Sequence, residues 1–281
     1  MSNGITRSSV RRGVWPALVA LALTIGSAGS TVLGIGQQPA DTVWQLANGP
    51  MPAAAAAARV AAGQAVVRFD KTAFDALMSA APAESAMRSA GELVFSLPLS
   101  DGTFQRFRVA DSPMLAPELA AAFPEIRTFT GQGIDDPTAT TRFGWTSAGF
   151  HAIVVAASGT VYVDPVEPSD IEFYVAAGKA SRQQPDAPFI CLLDGANHPL
   201  EAQRAVGVFP ISHGTSLRTY RMAMAATAEY TVAAGGTKAL AFARIVTTMN
   251  RVNGIYEREV AVRMTVATGT GADPTALIYL A

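Results

Sequence analysis

Short runs in which apolar residues alternate with polar ones, separated by turn-forming residues, occupy most of the chain between Ala65 and Val163. That period of two confines the region to a strand-dominated fold. Ala65-Val66-Val67-Arg68-Phe69 reads as a strand, and Asp70 is placed to cap a short helix carrying Phe74, Leu77 and Met78. Leu93, Phe95 and Leu97 alternate, Asp101-Gly102 supplies a turn, and Phe107 and Val109 alternate beyond it as the second arm of a hairpin. Pro117 suits the first turn of a helix running through Leu119 and Phe123 and stopping before Pro124. Further strands are expected at Thr140–Trp145, Phe150–Ala156 and Thr160–Val163. Residues 63–180 are therefore expected to form an antiparallel, strand-rich α+β domain of ordinary size.

The N-terminus carries a different pattern. Arg7, Arg11 and Arg12 precede an apolar run of 12 residues, Val14–Ile25, and then Gly26-Ser27-Ala28-Gly29-Ser30. A cationic segment, a short apolar segment and small residues describe a secretory signal over residues 1–30, and the run is shorter than the roughly 20 residues of a membrane span. The expectation is a secreted, extracellular protein with no stable membrane span beyond this segment. Residues 31–62, with Gln37-Gln38-Pro39, Gly49-Pro50-Met51-Pro52 and the run Ala53–Ala58, lack apolar periodicity and read as a linker or disordered leader. Net charge is −1, from 21 basic and 22 acidic residues, with no basic stripe in the body of the chain, so a nucleic-acid partner is not expected.

Residues 181–216 read as a connector, marked by Gln183-Gln184-Pro185, Asn197-His198-Pro199 and Ser212-His213-Gly214. From Leu217 the pattern changes again. Tyr220, Met222 and Met224 alternate as a strand with one better-buried face. From Thr237, Leu240, Phe242, Ile245, Val246, Met249, Val252 and Tyr256 form one apolar helical stripe. Val260, Val262, Met264 and Val266 then alternate as a strand, and Leu277-Ile278-Tyr279-Leu280 opens another. In Thr247–Val260, TTMNRVNGIYEREV, the apolar positions belong to the stripe, and the polar residues read as a helix-to-strand transition without a catalytic role.

Catalytic constellations are scarce. His151, His198 and His213 lack the i, i+4 spacing that places two imidazoles on one helical face for zinc. There is no Gly-x-Ser-x-Gly elbow and no Walker-type phosphate loop. Asp135-Asp136, in a Gly/Pro loop, read as turn-formers, and His151 as a packing or surface residue. Cys191 is the single cysteine, which excludes an internal disulfide. Its apolar neighbours favour a small buried hydrophobe, and pairing with a cysteine outside these residues is the alternative.

Several segments carry a family resemblance: Tyr220-Arg221-Met222-Ala223, Ala226-Thr227-Ala228-Glu229-Tyr230-Thr231, Gly235-Gly236-Thr237 and Thr247–Glu259. Residues 217–266 resemble the start of the catalytic domain of bacterial reprolysin-like zinc metallopeptidases of the metzincin group. Upstream, Leu97-Pro98-Leu99, Pro124-Glu125-Ile126, Thr130-Gly131-Gln132-Gly133, Gly149-Phe150-His151-Ala152 and Tyr162-Val163-Asp164-Pro165 are similar to that family's pro-region, so the likeness covers roughly residues 64–281. The resemblance implies a pro-region packing on its own catalytic domain, whose incomplete start, strand-helix-strand of an α/β metzincin-like fold, would occupy residues 217–281. It implies protein or peptide substrates and a zinc ion on a His-Glu-x-x-His-x-x-Gly-x-x-His motif, the glutamate acting as base for a zinc-bound water. That motif is absent from these residues and is expected further downstream, so no catalytic or metal-binding residue is assigned and the chain alone is expected to be inactive. The resemblance also gives Cys191 a possible role as a thiolate that blocks the open zinc position. The alternative is a non-enzymatic exported inhibitor or surface-binding protein.

Overall fold

The alternating runs are realised as one antiparallel sheet of nine strands in a computed structural model that describes residues 42–61, 63–87, 92–168, 170–181, 190–191, 198–199, 216–267 and 273–280. In chain order the elements are β1 (Trp44–Leu46), α1 (Ala53–Val60), β2 (Gln64–Phe69), α2 (Lys71–Met78), β3 (Leu93–Pro98), β4 (Phe104–Asp111), α3 (Pro117–Ala122) and β5 (Arg127–Gly133). They continue with β6 (Thr140–Thr146), β7 (Gly149–Ala156), β8 (Gly159–Pro165) and β9 (Phe173–Gly178). The spatial order is β1-β2-β9-β8-β7-β6-β5-β4-β3. Its two ends, β1 and β3, touch, so the sheet is curled into a nearly closed barrel.

From β3 to β9 the strands form an up-and-down meander, and each turn is read locally. Asp101 accepts from the backbone N–H of Thr103 at 2.9 Å, and Gly149 takes a φ of 98° to close the tight β6–β7 hairpin. Closure is non-local: β9 returns to pair with β2, Val66 opposite Val175. Inward positions supply a core of Trp44, Phe69, Phe95, Phe107, Phe129, Phe143, Phe150 and Tyr174, into which α2 lays Phe74 and Met78. Trp44 and Phe150 meet edge to face at 5.1 Å, and Phe129 stacks on Phe143 at 5.0 Å. The interior is thus a packed core and not a lumen. Asp70 caps α2 as expected, accepting from Ala73 N–H.

Outside the barrel lie β12 (Arg218–Ala223), α4 (Ala228–Ala233), α5 (Lys238–Val260) and β13 (Val262–Ala267), preceded in the chain by the two-residue strands β10 (Ile190–Cys191) and β11 (His198–Pro199). Strands β12 and β13 are parallel, joined through the helices, with Tyr220 opposite Met264. This unit shares its core with the barrel. The β4–β5 connection, carrying α3, leaves the barrel and contributes Met114, Leu115 and Leu119 to a second core with Phe242, Ile245, Val246, Met249 and Val266. Phe123 packs on Phe242 at 4.7 Å.

Four expectations are corrected. The fold is mostly strand, a nearly closed nine-stranded antiparallel barrel with few helices, and not an α+β pro-domain followed by the start of a separate α/β domain. The reason is that hairpin periodicity specifies neighbouring strands, whereas closure and the shared second core depend on residues more than a hundred positions apart. Within the segment read as a linker, residues 42–61 are ordered: β1 pairs with β2, and Trp44 is among the most buried side chains. Strand β12 has no well-buried face, since only Met222 is partly covered, and α5 continues through Val260 to end on Ala261 in the left-handed region at φ 53°. Residues 1–41, including the signal assignment, lie outside the described residues.

If β1 is part of the core, Trp44→Ala lowers unfolding free energy by about 3–5 kcal/mol in a denaturant titration. A linker residue would change it by less than about 0.5 kcal/mol.

Candidate functional site: the barrel–helix interface

Period-two alternation that turns aromatics inward also turns a second set of residues outward. On β6 these are Arg142, Gly144 and Thr146; on β7, His151 and Ile153; on β8, Tyr162 and Asp164. Helix α5 lies across this face, against β6 and β7. Its apolar stripe faces the second core, while Thr247, Asn250, Arg251, Gly254, Glu257 and Arg258 recur at helical spacing on the other side.

Arg142 is the centre of this face. Its side chain is 1% exposed, and its guanidinium reaches Glu257 Oε1 at 2.5 Å, Asn250 Oδ1 at 3.3 Å and Ser112 Oγ at 3.2 Å. Glu257 also accepts from Arg263 Nε on β13 at 2.5 Å. Arg263 then pairs with both oxygens of Glu84, in the turn after α2, at 2.8 and 2.7 Å. Ser112 Oγ donates to Glu84 at 2.6 Å and so closes a ring of two arginines, two glutamates and a serine. Burial and the nearby Arg263 charge push the Arg142 pKa down, against the pull of Glu257. Burial would raise the Glu84 pKa, but hydrogen bonds from Arg263 and Ser112 and the arginine charges outweigh it and hold the carboxyl below its ordinary value.

A second cluster lies one row along. His151 Nδ1 is 2.7 Å from Asp164 Oδ1, and Arg251 binds the same oxygen. Burial acts to raise the Asp164 pKa, but the His151 hydrogen bond and the Arg251 charge reverse this and drive it well below the carboxylate range. Arg251 also donates to Ala152 O at 3.2 Å and lies 5.2 Å from the Tyr162 ring centroid. Asn250 Nδ2 donates to Phe143 O at 3.0 Å, and Arg258 to Thr138 O and Val155 O at 3.2 and 3.1 Å. Barrel carbonyls of β6, β7 and the loop before β6 thus form a row of acceptors read by one face of α5. Next to this row is a cavity of about 480 Å³ lined by His151, Asp164, Glu167, Tyr230, Arg244 and Thr247.

These contacts assign the site residues. His151 is held by Asp164 and Arg251. Asp136 forms a turn, accepting from Thr138 N–H at 2.8 Å, whereas Asp135 is ion-paired with Arg106 at 2.5 Å. Cys191 pairs its backbone with His198 between β10 and β11, and the surroundings of its side chain, like His213, lie outside the described residues. Among the described residues no group of three His, Cys, Asp or Glu side chains is placed to hold a metal ion, and no helix is long and apolar enough to cross a membrane. Sequence reasoning missed the polar stripe of α5. Its signal was present, Asn250, Arg251, Gly254, Glu257 and Arg258 at spacings of three and four, but a polar helical stripe ordinarily faces water. Comparison with protein-family models, with curated proteins and with solved structures finds no match.

Glu257→Gln leaves Arg142 and Arg263 buried without their shared acid and should cost about 3–5 kcal/mol in denaturant unfolding. Arg142→Met combined with Glu257→Leu leaves Arg263 on Glu84 and should recover most of that loss. Acid should act through Glu84 and Asp164, whose folded pKa values are depressed. Their stabilisation is full above the unfolded values of about 4, and falls away as pH drops below them toward the folded values. Asp164→Asn should therefore flatten the decline of unfolding free energy with falling pH below about 4.

Proposed function

We propose that this chain is the N-terminal, non-catalytic part of a secreted zinc metallopeptidase precursor of the reprolysin-like kind. In this reading the barrel serves as its pro-region, and the likeness of residues 217–266 to the peptidase rests on their sequence and not on a separate α/β domain fold. The observation that supports it most is a coincidence of positions. Five residues of Thr247–Glu259, one of the segments that carry the family resemblance, namely Asn250, Arg251, Gly254, Glu257 and Arg258, are ones with which α5 lies on the barrel. A pro-region has to hold a specific element of the domain it accompanies, and this stripe is such an element.

Zinc is the implied cofactor, and its ligands are no part of residues 1–281. When bound it would supply an activated water for peptide hydrolysis. This chain's own residues would contribute orientation: Arg142, Asp164 and the strand carbonyls fix α5, and Asn253 fixes α5 to β13 through paired bonds to Met264 N–H and O, both 2.8 Å.

The 281-residue protein should contain no stoichiometric zinc and show no chelator-sensitive cleavage of casein. A longer precursor that includes these residues should show both. Chelator-sensitive cleavage by the 281-residue chain itself, or a longer precursor without zinc, would overturn the reading.

A further inference from the structure

The contacts between barrel and C-terminal unit have a property beyond the peptidase reading: none of those described above passes through the chain that connects the two. The first is a backbone pairing. Val266 N–H of β13 donates to Met114 O, and Ala116 N–H donates to Val266 O, both at 2.8 Å, with Leu115 bridged to Val266 in parallel sense. The β4–β5 connection thus adds a single parallel bridge to the β12–β13 sheet, at Val266 on the outer edge of β13. The second is the polar stripe of α5 on Arg142, Asp164 and the barrel carbonyls. The third is the shared apolar core that seats Met114 and Leu119 against Phe242 and Met249. The helix approaches the barrel closely at position 254: a Cβ there would stand in ordinary contact, 3.4 Å from Ile153 Cγ2 and 3.6 Å from Arg142 Cβ. An alanine would just fill that gap, and a larger side chain would not fit.

We infer that the barrel is a recognition module for the unit formed by β12, α5 and β13, and that the two remain bound as a non-covalent complex after the chain between them is cut. Its partner is defined by chemistry: a helix presenting amide, arginine, glycine and glutamate at helical spacing, followed by a strand with one free edge. A tether alone supplies an effective concentration of order millimolar. An interface held only by the tether would therefore fall apart on cutting. This one combines a desolvated charge ring, backbone pairing and an apolar core, the ingredients of tight association.

The test uses the full chain with a specific protease site inserted between residues 200 and 210, cut after folding and run on size exclusion at low and at high salt. The fragments should elute together in both. Gly254→Ala should leave the dissociation constant within about threefold, whereas Gly254→Leu should raise it by tenfold or more. Ala116→Pro removes one N–H at a residue whose φ of −60° already suits proline, and should also raise it tenfold or more. Near-UV circular dichroism of the uncut variants reports whether the barrel itself is intact. Separation of the wild-type fragments on cutting overturns the inference, as do unchanged dissociation constants for both Gly254→Leu and Ala116→Pro. No zinc or proteolysis by the protein enters this readout, so its failure and that of the peptidase reading are distinguishable.

Discussion

A guanidinium withdrawn from water is the constraint around which this molecule is arranged. Arg142 sits on the outer face of β6, almost wholly covered, where an unmatched charge would cost several kcal/mol. Its acid comes from α5, its hydroxyl partner from the end of β4, and the ring closes through Arg263 of β13 and Glu84 beyond α2. Counting β6 itself, five separated segments must therefore be in place at once for the ring to close. The barrel's outer face is complete only when the C-terminal unit covers it.

The ring rests in turn on the barrel's interior. Arg142 points outward because Phe143, its neighbour, points into the aromatic core and stacks on Phe129. A strand that slipped by one residue would bury the arginine among phenylalanines, so the core fixes the register that aims the charge. Closure contributes as well. The β2–β9 pairing and the insertion of Trp44 hold the sheet's curvature, which presents β6, β7 and β8 as a surface that one helix can lie across.

Single strands and turns of the barrel were legible in the sequence, its closure was not, and the site hardly at all. The Asp101-Gly102 turn, the Asp70 cap and the alternating runs of β3, β4, β6 and β7 follow from local physics, because each depends on residues close together in the chain. Trp44 was hidden among prolines and alanines, since a three-residue strand has no periodicity to read. Arg142 looked like one outward residue of an ordinary half-solvated strand. Nothing local distinguishes an arginine that meets water from one that meets Glu257, 115 positions away. Likewise, the polar residues of Thr247–Val260 matched a helix end only because no partner for them was visible.

The division of labour on α5 follows from what each kind of surface can do. Phe242, Ile245, Val246 and Met249 contribute stability without direction, and they serve the core the helix shares with its own sheet and α3. Asn250, Arg251, Glu257 and Arg258 contribute direction with little net stability, because each gives up water to gain its partner. An apolar seam in their place would bind as well at several rotations of the helix. A charged one does not: turning α5 by a single residue strands Arg142 without an acid and Asp164 without Arg251. A polar face is also tolerated in water when the two parts are not in contact, whereas a second apolar stripe would leave the unit prone to aggregate. A helix built this way suits a partner that must be recognised in one orientation.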